Sequence, residues 1–104
     1  MWFLISLNLN QLNTSNVIDF SSMFNGCTSI KQLELSNFNT SNVIYMDNFF
    51  KDCISLNSID ISNFNTKKVQ NMSHLFDSCY VLKKIDLSNW ITPELKVHLL
   101  FSIV

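Results

Sequence analysis

Apolar and polar positions recur along this chain with a fixed period of 26 residues. Leu7, Leu33, Ile59 and Ile85 fall in one column of the pattern, and Leu9, Leu35, Ile61 and Leu87 in another two places on. The register continues through Leu12, Phe38, Phe64 and Trp90, then Thr14, Thr40, Thr66 and Thr92, then Val17, Val43, Val69 and Leu95. Further columns hold Phe20, Met46 and Met72; Met23, Phe49 and Leu75; Phe24, Phe50 and Phe76; Cys27, Cys53 and Cys79; and Ile30, Leu56 and Leu82. This divides the chain into a partial first repeat at 1–6, repeats at 7–32, 33–58 and 59–84, and a divergent last repeat at 85–104. It starts inside one repeat and stops inside another, as a piece of a longer array would.

Each repeat changes its internal period, and the change predicts its elements. Leu33-Glu34-Leu35 and Ile59-Asp60-Ile61 alternate as a short strand with one buried face does. Further on, Val43, Met46, Phe49, Phe50 and Cys53 form a single apolar stripe at helical spacing. Thr40 and Thr66 precede such stripes as N-caps would, and Thr92-Pro93-Glu94 adds a proline and an acid suited to a helix start. A lone strand and helix cannot bury their apolar faces, so the repeats must stack. Leu56-x-x-Ile59-x-Ile61 and Leu82-x-x-Ile85-x-Leu87 also fit the opening of a leucine-rich repeat. The expected fold is an α/β leucine-rich-repeat solenoid of four stacked strand-plus-helix repeats, with a parallel sheet on the concave face.

Composition narrows the chemistry. The chain has 104 residues, 47% of them apolar, enough to build one core without metal or disulfide. Seven lysines, no arginine and eight acids give a net charge of −1, with no basic stripe for phosphates, so nucleic acid is not an expected partner. A single glycine excludes the glycine-rich phosphate loops and the nucleophile elbow, each of which needs several. The apolar runs at the two ends are too short to span a bilayer. No cofactor, metal or catalytic residue is expected, and the chain does not read as an enzyme.

The three cysteines stand 26 apart, each at the end of an apolar stripe, and read as buried thiols. His74, between Ser73 and Leu75, lies off the apolar stripe, and His98 has no Asp or Cys in phase with it, so neither reads as catalytic. Fourteen asparagines fall mostly just after the strands, where their amides can bond open backbone groups. The outward strand positions form the candidate ligand strip: Asn8, Gln32, Glu34, Ser36, Ser58, Asp60, Ser62, Lys84, Asp86 and Ser88. Glu34, Asp60 and Asp86 share a column, so mutual repulsion is expected to raise the pKa of Asp60, the middle one.

The string LELSNFNTSNVIYMDNFFKDCISL, echoed by IDISNFNTKKVQNMSHLFDSCYVL, resembles the repeats of BspA-like leucine-rich-repeat surface proteins. The resemblance runs to about Leu95; beyond Thr92 the methionine, Phe-Phe and cysteine columns read His98, Phe101-Ser102 and nothing. It implies a module at the cell surface or secreted, binding a protein or glycan ligand in adhesion, with no catalytic residue to carry over. The alternative is a structural spacer with no ligand of its own. Uncapped ends with apolar side chains beside an open edge are expected to favour self-association.

Overall fold

The alternation around Leu33 produces a strand, as a period of two dictates. In a computed structural model, which describes residues 6–9, 11–83 and 85–91, strand β1 (Ser6–Asn8) pairs in parallel with β2 (Gln32–Glu34), Leu7 opposite Leu33. The offset of 26 continues in two isolated parallel bridges, Asp19 to Tyr45 and Tyr45 to Asn71. Stretches 59–61 and 85–87 form no strand.

The expected α/β leucine-rich-repeat solenoid is not what the chain builds. No described residue is helical, the sheet has two strands of three residues, and the body measures 36 × 33 × 20 Å. Where helices were expected, the chain runs through successive tight turns. Met23 N–H bonds the Phe20 carbonyl, Asn25 that of Ser22 and Cys27 that of Phe24, at 3.1–3.2 Å. Ser22, Gly26, Asn48, Asp52, His74 and Ser78 have φ between 58° and 81°. A residue with positive φ every four positions breaks a right-handed helix, and it suits the third position of a tight turn.

Backbone groups that a helix would satisfy internally are satisfied by the next repeat instead. The N–H groups of Phe20, Ser22, Phe24 and Gly26 donate to the carbonyls of Tyr45, Asp47, Phe49 and Lys51 at 2.8–3.0 Å. Met46, Asn48, Phe50 and Asp52 donate in the same way to Asn71, Ser73, Leu75 and Asp77. Buried peptide groups must find partners, and this ladder supplies them without a helix.

The threonines are not N-caps either. Each buried hydroxyl clasps a peptide of the following repeat. Thr14 Oγ1 accepts from Asn39 N–H at 2.8 Å and donates to the Asn39 carbonyl at 3.1 Å. Thr40 does the same to Asn65, and Thr66 to Ile91. Thr92, Pro93, Glu94, Leu95 and His98 lie outside the described residues.

Stacking in register turns each apolar column into a column of touching side chains. Phe24, Phe50 and Phe76 stack with ring centroids 6.0 and 5.6 Å apart and planes within 7°. Phe38, Phe64 and Trp90 form a second stack, and Trp90 Nε1 donates to the Ile61 carbonyl at 3.2 Å. The cysteine column lies against the first stack: Cys53 Sγ donates to the Phe24 carbonyl and Cys79 Sγ to that of Phe50, at 3.2 and 3.1 Å. All three thiols are free. Burial raises the Cys27 thiol pKa and pushes Cys53 up to about 12 and Cys79 up to about 11. Thiols so held are poor nucleophiles and poor metal ligands near neutral pH.

Candidate functional site

The candidate strip follows from strand alternation: with Leu33, Leu35, Ile59 and Ile61 buried, their neighbours point outward. Gln32, Glu34, Ser36, Ser58, Asp60, Asp86 and Ser88 are exposed, and Ser62 is half-buried. Lys84 and the side chain of Asn8 lie outside the described residues. Ser58, Asp60 and Asp86 come together with Ile59, Lys83 and Ile85 around a shallow, open depression of about 620 Å³. It joins the third repeat to the fourth. Lys83 was not singled out in the sequence; its place at the rim follows from the bond of its N–H to the Asn57 carbonyl at 3.1 Å.

The strip's carboxylates and serines are bound to each other. Asp60 Oδ1 accepts from both the N–H (3.0 Å) and the hydroxyl (2.6 Å) of Ser62. Asp86 accepts from Ser88 N–H at 2.9 Å, and Glu34 from Ser36 N–H at 3.3 Å. The same turn recurs at other corners with asparagine in the acid's place: Asn13 with Ser15, Asn39 with Ser41, Asn71 with Ser73. An acid or amide two residues before a serine is therefore a turn element here. The asparagines after the strands also reach back across repeats. Asn63 Nδ2 lies 3.2 Å from the carbonyls of Leu35, Ser36 and Phe38.

This reverses the expectation for Asp60. The Ser62 hydroxyl, and next its N–H, lower the Asp60 pKa, and repulsion from Asp86 is the weakest of the influences on it. Asp86 and Asp19 are lowered in the same way, by Ser88 and Ser21. A depressed carboxylate contributes stability that is present above its unfolded pKa and is lost as pH falls through the folded one. Asn at position 60 can accept both Ser62 bonds, as Asn39 and Asn71 do from their serines. Asp60→Asn is thus expected to leave the melting temperature near neutral pH almost unchanged and to exceed wild type below about pH 4. Thermal denaturation across pH 2–8 checks it; a clear gain at pH 7 would restore the repulsive reading.

A second cluster was missed. His74 Nδ1 lies 2.6 Å from Asp77 Oδ2, with the imidazole half-exposed and the carboxylate buried. The pair is three residues apart in a turn whose first residue, His74, has φ of 58°. A 26-residue comparison could not find it, because the same columns hold Ser22 and Asn25, then Asn48 and Lys51. Among the described residues no group of three or more His, Cys, Asp or Glu is placed to hold a metal ion.

A family model described as "Mycoplasma protein of unknown function, DUF285" matches residues 3–102. The chain belongs to this family. Membership in DUF285 covers nearly all of the repeated sequence and carries no stated activity. No curated protein and no solved structure matched the DUF285 chain. Among its described residues no helix is long and apolar enough to cross a membrane.

Proposed function

We propose that this chain is a non-catalytic repeat module that binds a protein or glycan ligand at a cell surface, in adhesion, through the polar strip. The observation that carries this reading is the depression between the third and fourth repeats, where Asp60 and Asp86 stand beside Lys83 and Ser58. Both carboxylates are held in the ionised form by their serines, so the rim offers fixed negative charge at neutral pH. Such a rim suits a ligand with basic or hydroxyl groups. The resemblance to BspA-like surface proteins, taken for location and not for fold, supports placing the module outside the cell.

Immobilised chain is expected to retain basic matrix proteins or particular glycans from a panel. The doubly reversed variant Asp60→Lys with Asp86→Lys should lose at least about tenfold in affinity while keeping its circular dichroism. Retention unchanged by charge reversal would sink the strip as the site. The second reading, a structural spacer, is favoured by the way Ser62 and Ser88 spend their bonds on turns. A panel with no retained ligand would select it.

A further inference from the structure

A groove crosses three repeats on a stretch of chain outside the candidate strip. Asn16, Ile18, Asn42, Ile44 and Lys68 line it, and its volume of about 360 Å³ is at the small end of the range for small-molecule pockets. It shares no lining residue with the depression at Asp60 and Asp86. Backbone bonds between repeats align its walls. Ile44 N–H donates to the Ile18 carbonyl at 2.7 Å and Gln70 N–H to the Ile44 carbonyl at 2.8 Å, and the N–H groups of Tyr45 and Asn71 share the same two carbonyls at 3.2 and 3.3 Å. With these carbonyls taken, an added peptide strand finds no acceptor there, so a ligand must be recognised by side chains.

An ordered ammonium stands in the groove. Asn42 Nδ2 donates to the Ser15 carbonyl at 2.8 Å, which turns the amide oxygen towards Lys68, and Lys68 Nζ donates to that oxygen at 3.1 Å. A lysine side chain is long and flexible, and here its tip is held by two linked hydrogen bonds that span the three repeats. One of the three ammonium protons goes to Asn42, and Lys68 forms no ion pair among the described residues. Asp19, next to Ile18, has its Oδ1 bonded to the N–H and the hydroxyl of Ser21. Apolar surface flanks the charge. Ile18 is 52% exposed, and Ile44 stays half-buried although its repeat has a described repeat on either side. The exposure of Ile44 is therefore a property of the outward column and not of an end of the stack.

We propose that this groove binds a small aliphatic carboxylate, with its oxygens on the Lys68 ammonium and its hydrocarbon body against Ile18 and Ile44. The donors select the head group. Two ammonium protons remain for two carboxylate oxygens, whereas a phosphate or sulfate would bring a third oxygen and leave it beside isoleucine without a donor.

Titration of the nitrogen-15-labelled whole chain with hexanoate, followed by amide chemical shifts, tests this. Saturating shifts centred on residues 16–18, 42–44 and 68, with a Kd of about 1 mM or below, are expected. Lys68→Gln should weaken hexanoate binding by about tenfold or more. Lys67→Gln removes the neighbouring charge, which does not line the groove, and should change binding by less than about twofold. Lys68 is exposed, so its variant is expected to fold, and unchanged shifts elsewhere in the chain verify that. Hexanol and hexyl phosphate should each bind at least about tenfold more weakly than hexanoate. No saturable shift up to about 20 mM hexanoate, equal losses in the two lysine variants, or hexanol or hexyl phosphate binding as tightly as hexanoate overturns the proposal. Glu94, 26 residues after Lys68, lies outside the described residues, and Glu94→Gln is expected to leave the affinity unchanged. A gain of about tenfold in that variant also overturns the proposal, since the chain's own carboxylate would then be the occupant.

Discussion

Thr40→Val is expected to destabilise the fold by about 2–4 kcal/mol, although it changes neither the shape nor the volume of the side chain appreciably. The Thr40 hydroxyl is buried, accepts the Asn65 N–H at 2.8 Å and donates to the Asn65 carbonyl at 3.1 Å. Valine leaves both peptide groups of Asn65 without a partner at a half-buried site, and an unmade bond there costs more than a made one contributes. Thr40→Ser keeps the hydroxyl and loses one methyl, so about 1 kcal/mol is expected. Chemical denaturation of the two variants side by side separates the clasp from the packing. Equal losses would show that the methyl, and not the hydroxyl, matters.

Phe50→Ala is expected to cost about 3–5 kcal/mol, a large part of the total stability of a domain of this size. Phe50 has no exposed surface and lies 5.6–6.0 Å from Phe24 and Phe76 and 4.5 Å from Phe49, measured between ring centroids. Removing the middle ring of a stack leaves a cavity bounded by two other repeats, which the backbone ladder prevents from collapsing. Phe50→Leu refills most of the space and should cost less than half as much. A melting temperature for Phe50→Ala within a few degrees of wild type would mean that the aromatic column is not the core.

The columns of the sequence translate directly into the columns of the core: Phe24, Phe50 and Phe76 touch, as do Phe38, Phe64 and Trp90. The backbone carrying them is not the helix that the same columns predict. Val43, Met46, Phe49, Phe50 and Cys53 have the spacing of a helical stripe, and successive tight turns place side chains inward at nearly the same intervals. The distinguishing residues stand between them. Ser22, Asn48 and His74, and four places on Gly26, Asp52 and Ser78, are types that favour turns or tolerate positive φ and are poor in helix interiors. Their recurrence in phase was visible in the sequence and outweighs apolar spacing as evidence. In the candidate strip, exposure was legible from strand alternation. The role of its serines was not, because a carboxylate bonded to the serine two places on looks, in sequence, like two independent polar residues.

The constant offset between bonded repeats limits how the chain's length can change in evolution. Thr14 reaches Asn39, Thr40 reaches Asn65 and Thr66 reaches Ile91, always 25 residues on, and every rung of the ladder keeps the same interval. Loss of one residue inside a repeat shifts all later positions against their columns, turning buried phenylalanines outward and putting serines in their place. Loss or gain of a whole repeat leaves each remaining neighbour correctly matched. Viable relatives should therefore differ in length by multiples of 26, the quantum of change for a chain whose stacked columns all repeat at that interval.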